Sequence, residues 1–201
     1  MRIGVTGGVG SGKSTALSII ASHLEVCLLK ADDIAKELME DKSLLRELSE
    51  AFHQDITDRE GRLDKELYGE LIFSDKKNAE LSDSIVHPRV WRRIDELACE
   101  AEAEERLVLI ETALPSESFR RLCDFIIVLE SPSGEREERL SKERGYTKER
   151  FLDIQETQLS REGFRAYGDY VILNDGSLEE LEQRILKCVD DICKSCKRKQ
   201  R

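Results

Sequence analysis

The chain has 201 residues, of which 39% are hydrophobic and 37% are charged, a composition typical of globular proteins. No apolar run approaches the roughly 20 residues that a membrane-spanning helix needs, and the first residues lack a signal-peptide pattern, so we expect a cytoplasmic protein without a membrane partner. Acidic residues outnumber basic ones by 42 to 32, and the net charge of −10 argues against nucleic-acid binding.

The first predicted strand, 2–6, leads into a glycine-rich loop and then into a helix predicted over 13–24. Residues 7–15 read Gly-Gly-Val-Gly-Ser-Gly-Lys-Ser-Thr and match the Walker A motif at every fixed position. Glycines let the backbone approach a ligand closely, and the free N–H groups at a helix N-terminus favour phosphate. The motif therefore predicts ATP binding, and a glycine-rich turn without a ligand is the simpler alternative.

Two side chains in this loop have predicted roles toward ATP and Mg²⁺. Lys13 directs a positive charge toward the β- and γ-phosphates, and the Ser14 hydroxyl is the predicted Mg²⁺ ligand. The predicted nucleotide contacts in the loop are Gly8, Gly10, Ser11, Gly12, Lys13, Ser14 and Thr15.

A second apolar run, 26–29, predicts a strand that is buried on both faces of a parallel sheet. Ligands of open α/β sheets bind outside the carboxyl ends of the strands, and Asp32 follows this strand closely. Asp32 is therefore a candidate to face the substrate, and a turn residue is the alternative interpretation. Asp33 is the predicted N-cap of a helix over 34–39.

A long, polar and mostly helical stretch follows, and it is too long for a simple crossover between two strands. We expect it to be an inserted substrate-binding part at about 34–105. Pro88 predicts that a new helix begins there and runs over 89–104, because proline disfavours helical backbone at the preceding residue. Either His87 forms hydrogen bonds with neighbouring residues at this helix start, or it contacts the acceptor substrate.

A third strand, predicted over 106–110, ends in Glu111. A carboxylate in this position acts as a Walker B acid toward Mg²⁺ in P-loop enzymes, and an exposed strand-end charge is the alternative. A fourth strand is predicted over 125–129. The next helix contains Arg136, Arg139 and Arg144, and the charge-dense segment 142–165 is typical of a solvated helix pair or of a mobile lid.

The fifth predicted strand, 170–173, leads into a turn at 174–176. Ser177 and Glu180 form a capping-box pattern that starts the last helix, which is expected to end near Cys193, before a solvated basic tail. Five strands alternating with helices predict a five-stranded parallel sheet covered by helices on both faces.

The six cysteines include one C-x-x-C pair, Cys193 and Cys196. A structural zinc site needs four ligands, so these two are interpreted as helix-surface thiols. We expect no structural disulfide in a reducing compartment.

With these motifs in order, the chain resembles the dephospho-coenzyme A kinases from end to end. The resemblance implies a single P-loop kinase domain, 1–201, similar to nucleoside-monophosphate kinases, with the helical insertion and a lid at about 139–168. It implies transfer of the ATP γ-phosphate to the ribose 3′-hydroxyl of dephospho-coenzyme A, the last step of coenzyme A biosynthesis. The matching motifs are the 5–15 loop, Ala31-Asp32-x-Ile34-Ala35, His87-Pro88-x-Val90, Asp124 with Ser131-Pro132, Arg139-Leu140, Gln158 and 169–177.

The resemblance also assigns roles to individual residues. Asp32 matches the general base and a substrate contact, Arg139 a catalytic lid arginine that contacts phosphate, Asn174 a loop beside adenine, and His87 the substrate-binding part. We expect dephospho-coenzyme A as the small-molecule substrate and a monomer or weak homo-oligomer.

Two departures from the family pattern keep other functions open. Lys30 replaces the first acid of the usual Asp-Ala-Asp, and the residues after the third strand leave either Glu111 or Glu117 to assist Mg²⁺. The alternatives are another P-loop nucleotide or small-molecule kinase and a catalytically inactive ATP-binding module.

Overall fold

The structure is a computed structural model that describes the backbone of residues 1–199 and their side chains, except those of 138, 139, 143, 144 and 197–199. The strands in this part of the chain are β1 Arg2–Thr6, β2 Val26–Lys30, β3 Leu107–Glu111, β4 Phe125–Glu130 and β5 Tyr170–Leu173. The helices are α1 Lys13–His23, α2 Ala31–Leu38, α3 Lys42–Phe52, α4 Lys65–Ser74, α5 Lys76–Ala103, α6 Glu117–Leu122, α7 Ser133–Arg144, α8 Lys148–Thr157, α9 Arg161–Tyr167 and α10 Leu178–Lys199.

The five strands form one sheet in the order β2-β3-β1-β4-β5. The pairings of β1 with β3, of β1 with β4 and of β4 with β5 are parallel, and Gly4 lies opposite both Ile110 and Ile126. The predicted five-stranded parallel sheet of a P-loop kinase is therefore confirmed.

The chain divides into two compact units, one formed by 1–28 with 98–201 and the other by 29–97. In the first unit, alternate residues of β1 send Ile3 and Val5 into a core that contains Leu17 of α1 and Ile185 of α10. Gly4 leaves room on the other face, because a methyl group there would approach Phe119 Cζ to 2.6 Å.

The second unit begins with the last two residues of β2 and is otherwise mainly helical, with one antiparallel bridge between Thr57 and Leu63 in its described residues. Asp41 caps α3, since its carboxylate accepts from the backbone N–H groups of Ser43 and Leu44 at 2.7 and 3.1 Å. The unit contains most of the predicted substrate-binding insertion, whose role stays a prediction.

The predicted helix start at Pro88 is wrong, because Pro88 lies inside the single helix α5. A proline removes one backbone hydrogen bond and disfavours helical backbone before it. Around it, however, Val86, Val90 and Ile94 recur at helical spacing and are 8, 3 and 0% exposed. The burial of this stripe offsets the local cost of the proline, and tertiary packing overrides propensity here.

Two predicted helix bounds also differ. Helix α2 follows β2 directly, its N-cap is Lys30, and Asp33 lies in the first turn instead of capping it. An acid in the first turn is favourable because the helix dipole is positive there. Helix α10 continues past Cys193, since Ile192 is fully buried and Lys194 pairs with Asp190 one turn earlier.

Candidate active site

The glycine-rich loop between β1 and α1 is shaped by backbone angles that favour glycine. Gly7, Gly10 and Gly12 have φ values of 145°, 74° and 98°, in the region that side chains with a Cβ rarely adopt. Gly12 is the N-cap of α1, and the loop therefore delivers the chain directly to a helix N-terminus. Ser11 Oγ is buried without a hydrogen-bond partner, so the loop offers an unused polar atom as well as its amides. These features fit a bound phosphate.

Lys13 is folded against the loop. Its Nζ donates to Gly7 O at 2.9 Å and lies 3.9 Å from Glu111 Oε1 at the end of β3. The Lys13 and Glu111 side chains are 12 and 14% exposed, which strengthens their electrostatic interaction. The structure thus brings Glu111 beside the phosphate-binding loop, whereas Glu117 lies in the first turn of α6.

Two side chains that are distant in the sequence form hydrogen bonds with the backbone of the loop. Asn174, after β5, donates from Nδ2 to Ser11 O at 3.0 Å, and it is 6% exposed. Gln158, at the end of α8, accepts from the Val9 N–H at 2.8 Å through Oε1. Asn174 was predicted as a nucleotide contact, and its amide nitrogen supports the loop in this structure.

A cavity of about 570 Å³ opens beside the loop within the first unit. Gly8 and Ser11 form one side, and the ends of β4 and β5 with residues of α7, α8 and α9 form the others. Its lining combines apolar groups such as Pro132 and Phe164 with charged groups such as Arg136 and Asp175. This mixture suits a nucleotide, which has an apolar base and charged phosphates.

Glu130, the last residue of β4, is the most connected carboxylate in the cavity wall. Its oxygens accept from Arg165 Nε at 2.5 Å, from Arg165 Nη2 at 2.8 Å and from Arg161 Nε at 2.7 Å. These hydrogen bonds, chiefly those from Arg165, hold the pKa of Glu130 below its usual range although the side chain is only 7% exposed. The pairs attach α9 to the end of β4.

The remaining predicted site residues have different surroundings. Asp32 is exposed in the first turn of α2 in the second unit. His87 is exposed on α5 of the same unit, with Nε2 at 3.5 Å from Asp83 Oδ1. The side chain of Arg139 lies outside the described residues. Ser14 and Thr15 are exposed in the first turn of α1.

Sequence reasoning missed two cavity residues, Glu130 and Arg136. Arg136 belongs to the arginine-rich helix that the sequence singled out, but helical spacing alone does not show which arginine faces the loop. Glu130 has no local sequence signal, because its partners are 31 and 35 residues away along the chain.

Two features are absent from the part of the chain that the structure describes. No helix in that part of the chain combines the length and the apolar character needed to cross a bilayer. No group of three or more histidine, cysteine or acidic side chains is placed there to hold a metal ion. Magnesium in P-loop enzymes depends on few protein ligands, since phosphate oxygens and water complete its shell.

Comparison with known proteins identifies the family. A family model described as dephospho-CoA kinase matches residues 1–180. The chain is 33% identical over 150 residues to the dephospho-CoA kinase of Thermobifida fusca, covering 74% of each chain, and 38% identical over 151 residues to that of Corynebacterium diphtheriae, covering 73% of this chain and 74% of the relative. The crystal structure of TT1252 from Thermus thermophilus superposes with a TM-score of 0.77 at 32% identity, covering 94% of this chain and 95% of that one. The chain belongs to the dephospho-CoA kinase family, enzymes that use ATP to phosphorylate dephospho-CoA in coenzyme A biosynthesis.

Proposed function

We propose that this protein transfers the γ-phosphate of ATP, with Mg²⁺, to the ribose 3′-hydroxyl of dephospho-coenzyme A in the cytoplasm. The observation that carries the proposal is the glycine-rich loop with three positive φ angles, whose Lys13 donates to Gly7 O and lies 3.9 Å from Glu111. Family membership selects the acceptor, since the loop by itself fits any ATP-dependent kinase.

The loop and its lysine bind and orient the phosphates. The amides of 8–15 and the N-terminus of α1 hold the β- and γ-phosphates in place. Lys13 has a flexible stem, and its ammonium moves from Gly7 O to neutralise charge that develops on the transferred group. Phosphoryl transfer requires mainly positioning and charge stabilisation of this kind.

Mg²⁺ fits the oxygen donors in this region. The Ser14 hydroxyl is the proposed direct ligand, and Glu111 is the proposed outer carboxylate in place of Glu117, because it already lies beside Lys13. Ser14 and Glu111 would hold the ion, which would supply positive charge that reduces the repulsion between the phosphates and an attacking hydroxyl.

Two residues of the second unit are proposed to bind and activate the acceptor substrate. Asp32 orients the ribose 3′-hydroxyl and accepts its proton, a role supported by its motif and by its exposed carboxylate. His87 is proposed as a substrate contact on α5.

Arg139 is proposed as a lid arginine, and the segment at about 139–168 is proposed to close and exclude water from the transfer.

The test is ADP release by the purified full chain with Mg²⁺ and ATP. Dephospho-coenzyme A should stimulate release strongly, and mass spectrometry should find one added phosphate on the ribose of the product. Nucleoside monophosphates, tested in parallel, should give little stimulation. Release that follows a nucleoside monophosphate instead, or ATP binding without turnover on any acceptor, would overturn the proposed function.

A further inference from the structure

Arg136 on α7 lies directly over the phosphate-binding loop. A methyl group in place of the Gly8 hydrogen would approach its Nη1 to 2.5 Å, and one at Gly10 would approach its Cβ to 3.2 Å. On α8, Phe151 lies under the guanidinium, whose Cζ is 5.6 Å from the ring centroid. Phe151 is 1% exposed, so the cation is held between a loop glycine and a buried ring.

The other charged groups of the cavity wall have partners. Glu130 accepts from Arg161, and Asp175 accepts from Arg184 Nη1 at 2.6 Å. Each of these charges is therefore compensated by a neighbour within the protein.

Arg136 differs, because the structure shows no carboxylate paired with it among the described side chains. Its Nε is buried without a hydrogen-bond partner. Burial lowers the pKa of Arg136. A cation that is desolvated without a partner costs free energy, and an arginine at the wall of a ligand cavity recovers that cost when an anion binds.

We propose that Arg136 binds the phosphate groups of the nucleotide from the α7 side of the loop, as a second cation in addition to Lys13. The proposal rests on the proposed function, because it takes the cavity to be the ATP site. The family resemblance assigns a phosphate contact on α7 to Arg139. The present proposal assigns one to Arg136, which lies one helical turn earlier. The planar fork of an arginine matches phosphate oxygens in two parallel hydrogen bonds.

The helix α8 sets the position of this arginine. Phe151 supports the guanidinium, and Gln158, at the end of the same helix, accepts from the Val9 N–H of the loop. The α8 helix therefore touches both the loop and the cation above it. Phe151 acts through Arg136 and is a positioning residue.

The test measures binding of ATP and of adenosine by equilibrium dialysis with the full chain, without any acceptor. Arg136→Gln should weaken ATP binding by about 10- to 100-fold, the usual loss for a hydrogen bond to a charged group. Adenosine binding should stay within about twofold, because adenosine carries no phosphate. Arg136→Lys should recover part of the ATP affinity. Arg150→Gln, which removes an exposed cation from α8, is the matched control and should bind ATP normally.

Three results would overturn the proposal. They are wild-type ATP affinity in a folded Arg136→Gln protein, equal losses for ATP and adenosine, and an equal ATP loss in the Arg150→Gln control. If Arg136→Gln does not fold, Arg136→Lys decides, since weaker ATP binding with unchanged adenosine binding supports the contact and unchanged binding of both refutes it. Because no acceptor is present, these outcomes are separate from a failure of dephospho-coenzyme A phosphorylation.

Discussion

Asp32 and Asp33 are adjacent exposed carboxylates in the first turn of α2, and they form a matched pair for mutagenesis. Asp33 forms an ion pair with Lys36 at 3.3 Å. Replacement of either acid by its amide removes one negative charge from the same helix end. The proposed base role belongs to Asp32 alone, so the two variants separate chemistry from helix electrostatics.

We expect Asp32→Asn to lower kcat by roughly 10²- to 10⁴-fold, the usual contribution of a positioned general base. The KM for ATP should change little, because the proposed role concerns the acceptor hydroxyl. The measurement is steady-state kinetics with ATP and dephospho-coenzyme A. Asp33→Asn should keep near-normal turnover, and a similar kcat for wild type and Asp32→Asn would remove Asp32 from the mechanism.

At the scale of elements, the attachment of α9 to β4 depends on Glu130. Two arginines of α9 donate to one buried carboxylate at the strand end. A lowered pKa in the folded state means that the carboxylate contributes stability above its ordinary pKa of 4.5. That contribution is lost as the pH falls through the lower folded-state pKa, since the unfolded chain then binds the proton more strongly.

We expect Glu130→Gln to reduce the free energy of unfolding at pH 7 by about 1.5–3 kcal/mol, the range for hydrogen bonds to charged groups. The difference between wild type and variant should be constant above about pH 5 and shrink at lower pH. Urea titrations at a series of pH values measure both effects. Glu162→Gln, an exposed change on α9, is the control, and a pH-independent difference for Glu130→Gln would show that the charge is not responsible.

At the scale of the whole molecule, ATP binding is expected to stabilise the fold. A ligand at 100 times its Kd adds about 2.7 kcal/mol to the free energy of unfolding, which for a chain of this size raises Tm by about 5–10 °C. Calorimetry with Mg²⁺ and ATP measures the shift. Lys13→Ala should abolish most of it, because the variant loses the loop cation. The full shift in Lys13→Ala would show that the lysine does not contact the phosphates.

Structural features that depend on residues close together in the chain were predicted well from the sequence. Short apolar runs marked all five strands, because strands of a parallel sheet are apolar along most of their length. The prediction that β2 is buried on both faces is wrong, because β2 is an edge strand and Leu28 is 37% exposed. The capping box at Ser177 and Glu180 is confirmed by reciprocal hydrogen bonds, at 3.2 Å from Glu180 N–H to Ser177 Oγ and 2.7 Å from Ser177 N–H to Glu180 Oε2. Such features depend on neighbouring residues and are therefore visible in the sequence.

The sequence by itself determined the phosphate-binding loop, the alternation of strands and helices and the family, because each depends on residue types at fixed local spacing. Only the tertiary structure decided that α5 continues through Pro88, that Asn174 supports Ser11 and that Arg136 lies over Gly8. Those outcomes depend on the packing of segments far apart in the chain. The free energies of burial and pairing between such segments exceed local secondary-structure propensities, and they cannot be predicted from a local sequence pattern.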